Sequence, residues 1–134
     1  MDYQPFLVGP HLIGLLFIIL GLVQKYLPPK TINRWYGYRT PLARSSQQAW
    51  DEGNRYSAAY FIKAGTVVLV VGFIINGIML RTVADPGTQK IIQYVILFGG
   101  AIGIGITSTV VTEKYLNEYL KKTPVKKTQS KKRK

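Results

Sequence analysis

The residues of this chain whose types and spacing could do chemistry are Asn33, Tyr36, Tyr38, Arg39 and Thr40, followed at a distance by Trp50 and Asn54. All lie in residues 28–54, PPKTINRWYGYRTPLARSSQQAWDEGN, a polar, aromatic and basic stretch between two apolar ones. The chemistry they offer is recognition. A guanidinium between phenol rings can stack on one of them while its fork holds a carboxylate, phosphate or carbonyl group. Asn33 and Thr40 are residue types that satisfy backbone groups in irregular segments. Gly37 offers a turn, and Pro28-Pro29 ends any preceding helix and fixes the direction of entry. Trp35 and Trp50 can lie at the level of lipid headgroups. The same residues fit a rigid brace between the flanking elements, and a brace can also present a recognition surface.

Catalysis has no comparable set. The chain holds one histidine, His11, and no cysteine, so a thiol nucleophile and a Cys-based metal site are excluded and a Ser-His-Asp arrangement is not credible. Asp51 and Glu52 are adjacent and would point about 100° apart on a helix, unable to clasp one reacting group. No phosphate-binding loop, dinucleotide fingerprint or metal-ligand spacing occurs. The expectation is a non-enzyme without metal or cofactor.

The elements that must position the motif are apolar. Three blocks, residues 6–23, 64–80 and 91–111, each approach the ~17–25 residues that cross a bilayer as a helix. They predict an all-α integral membrane protein. Its transmembrane helices cover residues 6–26, 57–80 and 91–111, and an interfacial cytoplasmic segment at 28–54 lies between the first two. Residues 1–122 form the membrane domain and 123–134 a basic cytoplasmic tail. Residues 1–5 carry Asp2 and no Lys or Arg, so the first block reads as a retained helix rather than a signal peptide.

Within these helices Pro10 is expected to kink the first, with His11 at its outer end. Ser45 or Ser46 is the expected N-cap of a helix running through Trp50, Asn54 and Ala58 on one face and on into the second span. Asp51 and Glu52 are expected in water. Tyr56, Tyr60 and Phe61 read as an interfacial cluster. Asn76 is expected to bond another helix, and Asp85-Pro86-Gly87 to form a turn that makes the last two helices a hairpin. Gly99 and Gly103 present a flat face for helix packing, within the chain or between copies of it. The third helix is expected to continue beyond the bilayer through Tyr115 and Tyr119, ending at Thr123-Pro124.

Net charge is +12, from 18 Lys+Arg against 6 Asp+Glu. A soluble nucleic-acid binder is excluded in practice by the apolar blocks, which would aggregate if exposed to water. Instead the charge reads as topology. Lys25, Lys30, Arg34, Arg39, Arg44, Arg55 and Lys63 flank or fill the first loop, while the second holds Arg81 and Lys90. The central loop and the tail (Lys126, Lys127, Lys131, Lys132, Arg133, Lys134) are thus expected in the cytoplasm of a bacterium, with the N-terminus outside its inner membrane. Expected partners are membrane lipids and a peptide or membrane protein, with a homo-oligomer possible in principle. Nucleic acid enters only as ribosomal RNA against the tail.

Pro28-Pro29, Ile32-Asn33 and Tyr36-Gly37-Tyr38-Arg39-Thr40, then Trp50 and Asn54, resemble the motif of the SdpI family: PP-x-x-IN-x-x-YGYRT, a spacer, then W-x-x-x-N. The chain departs from the family pattern at Ala43-Arg44-Ser45-Ser46, where Ser-Met-Lys-Asn is usual, and at Gly53, where alanine is usual. The resemblance implies a small multipass membrane protein that binds a toxic peptide, as in immunity, or a membrane regulator, as in signalling. An alternative from another class is an accessory subunit of a larger membrane complex. Its glycine face would pack on a partner, and its tail would dock on an acidic surface of lipid, protein or ribosomal RNA.

Overall fold

The computed structural model of the chain describes residues 9–123. The tail lysines 126, 127, 131, 132 and 134, with Arg133, lie outside the described residues, as does the expected start of the first helix near residue 6. Within them the regular structure is helical: α1 Pro10–Tyr26, a single 3₁₀ turn Ala43–Ser45, α2 Gln47–Thr82 and α3 Pro86–Lys122.

Local chemistry explains each boundary. Pro10 occupies the first turn of α1 behind an extended Gly9, where its missing N–H costs nothing. It opens the helix here in place of the kink expected of it. Leu27-Pro28-Pro29 closes α1, since a residue before proline disfavours the helical region. Ser46 caps α2, its Oγ accepting from the Ala49 amide at 3.1 Å. From there α2 runs 36 residues without a break, so the motif's Trp50 and Asn54 stand on the same rod as the second apolar block. Asp85 caps α3 by accepting from the Thr88 amide at 2.6 Å. Asp85-Pro86-Gly87 is therefore a helix start and not the middle of a turn. The connection shrinks to Val83–Asp85, and α2 and α3 form the hairpin.

Glycine decides which helices approach most closely. Gly14 of α1 faces Gly65 of α2, Gly21 of α1 meets Ala58 and Ile62, and Gly72 of α2 meets Pro10 and His11. A Cβ on Gly14 would lie 2.3 Å from the Leu69 nitrogen, and one on Gly72 2.5 Å from the His11 nitrogen, so the two backbones touch. Gly99 and Gly103 on α3 are not used in this way within the chain: a Cβ at either meets nothing within 4 Å.

Two small cores result. In the apolar half, Ile13 and Phe17 of α1 and Ile104 of α3 pack with Phe61, Ala64 and Val68 of α2. In the polar half, Tyr38, Ala43, Ala49 and Leu116 join the loop, the start of α2 and the end of α3. Polar contacts pin the hairpin along its length. Gln93 Nε2 donates to Asn76 Oδ1 at 2.9 Å near the short turn, which is a helix–helix bond of the kind expected of Asn76. The Tyr60 hydroxyl bonds Thr107 Oγ1 at 2.8 Å, and the Tyr56 and Tyr115 rings stack 4.0 Å apart. His11 is buried and stacks on Phe73 at 4.6 Å.

The outer surface of the apolar half stays greasy. Leu16 and Leu20 on α1, Val67 and Ile74 on α2, and Phe98 and Ile106 on α3 are all largely exposed. Among the described residues, α2 and α3 are long and apolar enough to cross a bilayer, while α1 is shorter.

Candidate functional site

The motif folds around the side chain of Asn54, which is 2% exposed. Its Oδ1 accepts from the Tyr38 amide at 2.6 Å and from Gln24 Nε2 at 2.9 Å. Its Nδ2 donates to the Trp50 carbonyl at 2.8 Å. Gln24 Nε2 also donates to Ser57 Oγ at 2.7 Å. One amide thus ties the last turn of α1, the loop and α2 together, and a buried amide needs such partners.

The chain reaches Asn54 through Gly37, whose φ of 100° lies in the left-handed region that favours glycine. A Cβ there would stand 2.3 Å from Asn54 Oδ1 and 2.7 Å from Pro29 Cγ, so the site excludes a side chain twice over. Asn33 builds the preceding turn: its Oδ1 accepts from the Trp35 and Tyr36 amides at 3.0 and 2.9 Å. Thr40 Oγ1 accepts from the Ala43 amide at 3.3 Å and starts the 3₁₀ turn.

Trp50 is wholly buried, and its Nε1 donates to the Pro29 carbonyl at 2.7 Å. It locks the Pro-Pro entry from inside, which corrects its expected place among the headgroups. Tyr38 lies in the polar-half core, its hydroxyl 3.1 Å from both the Thr109 carbonyl and Glu113 Oε1 on α3. Burial first, and the neighbouring Glu113 carboxylate second, push its phenol well above the ordinary range.

A second polar group braces α2 against α3. Arg55 pairs with Glu52 one turn away, and the Tyr115 hydroxyl donates to Glu52 Oε1 at 2.6 Å. The Arg55 hydrogen bond, ahead of that from Tyr115, holds the Glu52 carboxyl below its usual range against the opposing effect of burial. Glu52 is therefore engaged and largely covered, not in water as expected, whereas Asp51 is exposed.

The predicted site residues separate into two groups. Tyr38, Trp50 and Asn54 are interior and hold the loop's shape. Asn33, Tyr36, Arg39 and Thr40 stay at the surface, together with Trp35 at 91% exposure. The Arg39 guanidinium bonds the Arg34 carbonyl, an arrangement other than the expected stacking on a neighbouring tyrosine. Gly37, Tyr38, Arg39 and Thr40 line a recess of about 250 Å³ that also reaches Ser57 and Thr109.

Two participants escaped the reading of the sequence. Gln24 reads as the exit of a greasy helix, but it lies one turn after Gly21 and thus on the face packed against α2. Glu113 reads as one side of an amphipathic stripe. A polar residue in register with a glycine seam is the signal that could have found Gln24; nothing local singles out Glu113.

A family model described as the SdpI/YfhL protein family matches residues 30–116. A relative described as uncharacterized protein YfhL, of Bacillus subtilis (strain 168), is 46% identical over 63 residues. The match covers 47% of this chain and 57% of that protein, so the chain spans little more than half the length of the relative. No solved structure matches.

Proposed function

The chain belongs to the SdpI/YfhL family, and from that premise we propose a non-enzymatic bacterial inner-membrane protein that binds a toxic peptide or a membrane regulator. The membrane character follows from the family and from two long helices whose apolar faces are exposed. The finer reading has three spans, with the loop and tail cytoplasmic and the Asp85 turn outside. It is supported by the basic residues of the first loop and by the length of the three apolar blocks.

The observation that carries the binding role is the division of the motif. An interior hub of Asn54, Trp50 and Tyr38 fixes a loop whose outer side presents Tyr36, Arg39 and the exposed Trp35. Preorganised aromatic and guanidinium groups lose little entropy on capturing a partner, and such residues dominate interface energetics. The test is expression in a host sensitive to a secreted membrane-active peptide, as wild type, Arg39→Ala and Trp35→Ala. Protection by the wild type that both variants lose supports immunity. Killing unchanged by the wild type counts against it.

A second reading, the accessory subunit, is favoured by Gly99 and Gly103, which lie on one face of α3 with open space before them and Ile102 and Ile106 exposed beside them. Small residues on a free face suit a partner helix. Recovery of a stoichiometric membrane companion in mild detergent, lost in Gly103→Leu, supports this reading. Recovery of the chain alone removes it.

A further inference from the structure

We infer that the ledge where α1 ends is a binding site for the phosphodiester headgroup of an anionic lipid. A cavity of about 460 Å³ opens there, lined by Lys25, Lys30, Arg55, Asp51, Gln24 and Asn54 among others. Its size is within the range of small-ligand sites, ~300–1,000 Å³.

Charge selects the class of ligand. Arg55 is paired with Glu52, and Asp51 accepts from Gln47 Nε2 at 2.7 Å. Three cations against two carboxylates leave a local excess of one positive charge. That balance suits a singly charged phosphodiester better than a dianion. The buried amides of Gln24 and Asn54 are spent on one another and on Ser57 and Trp50, so they give a neutral polar floor and leave recognition to the lysines.

Position selects the source. Leu22 and Val23, in the turn of α1 before Lys25, are exposed and apolar, whereas residues 28–30 begin the polar loop. The cavity therefore sits at the boundary between greasy and polar surface, where headgroups lie. Basic pockets between membrane helices take lipid headgroups for this reason. The proposal rests on the membrane part of the preceding reading and is independent of the peptide partner. Sedimentation with membranes reports on the former without reference to any lipid count.

The test is native mass spectrometry of the full chain in neutral detergent with dioleoylphosphatidylglycerol or dioleoylphosphatidylcholine. Lys25→Gln/Lys30→Gln is compared with Arg81→Gln/Lys90→Gln, which removes the same charge at the far turn while the tail is present in both. Phosphatidylglycerol retention is expected to weaken about tenfold or more in the first variant only, the scale expected for two surface cations. Lys25→Arg/Lys30→Arg should restore it, which separates lost charge from lost folding. Equal weakening in the two glutamine variants overturns the site. Thermal stabilisation by inorganic phosphate that needs Lys25 and Lys30, with no phosphatidylglycerol retained, overturns the lipid assignment in favour of a soluble anion.

Discussion

Replacing Asn54 by alanine removes one partner each from the Tyr38 amide, the Gln24 amide and the Trp50 carbonyl. Gln24 keeps Ser57 Oγ and the Asn54 carbonyl, and the Trp50 carbonyl stays within α2, so the loss falls on the Tyr38 amide. A buried polar group left unpaired costs about 1–3 kcal/mol, and Asn54→Ala is expected to loosen the loop and lower the thermal midpoint in detergent. Gly37→Ala should do comparable damage through a different cause, since the added methyl collides with that same amide oxygen. Arg39→Ala, at the surface, should leave the midpoint nearly unchanged and act only on partner binding. Equal destabilisation by all three would erase the distinction between hub and rim. Glu52 gives the pH dependence. Its folded carboxyl titrates below the unfolded value of about 4.3. Its contribution is therefore present above that pH and is lost as pH falls through the folded value. Glu52→Gln should flatten the acid side of the midpoint–pH curve, and an unchanged acid side would sink the assignment.

At the scale of the helices, close approach is expected to depend on α1 and α2. Gly14→Ala and Gly72→Ala place a carbon against backbone that cannot rotate away, and each is expected to separate the helices and lower the thermal midpoint. Gly103→Ala meets open space and should be neutral or slightly stabilising in the monomer, because alanine is the better helix former by up to ~1 kcal/mol. A sharp loss from Gly103→Ala would instead place a partner on that face. Helix type, the Ser46 cap and the run through Trp50 into the second block were legible in the sequence as local signals, whereas Asp85 read as part of a turn and proved to be a cap. Choosing between glycine faces was not legible. The third helix has the denser set, but what matters is the surface opposite, and Gly65 meets Gly14, Gly21 meets Ala58 and Gly72 meets His11 only once α1 and α2 are laid side by side. Trp50 failed for a related reason. An indole suits a bilayer surface or a buried carbonyl equally well, and only the path of Pro28-Pro29 brings the Pro29 carbonyl to it.

For the whole molecule, the lack of cysteine makes topology directly measurable. Ser45→Cys in the loop and Ala84→Cys in the short turn are both at exposed positions. A membrane-impermeant maleimide added to intact cells is expected to label Ala84→Cys and to reach Ser45→Cys only after lysis. Labelling of both from outside would remove the crossing of α2. The general plan, apolar helices around a structured polar loop, was visible from residue types alone. The division of the motif into interior and exterior was not, because it is set by which elements meet.

Helices of 36 and 37 residues are about 54 Å long at 1.5 Å per residue, whereas the hydrocarbon layer is only about 30 Å. The surplus is concentrated at one end, where α2 begins, α3 finishes and Gln48 Nε2 bonds the Thr123 carbonyl at 3.3 Å. With the spans placed as proposed, the hairpin stands out of the bilayer like a mast, rigged to the short α1 by the loop at its foot. Whatever grips its tip pulls on the same spar that carries Asn54, so a load applied well clear of the lipid is transmitted to its surface through a single unbroken helix.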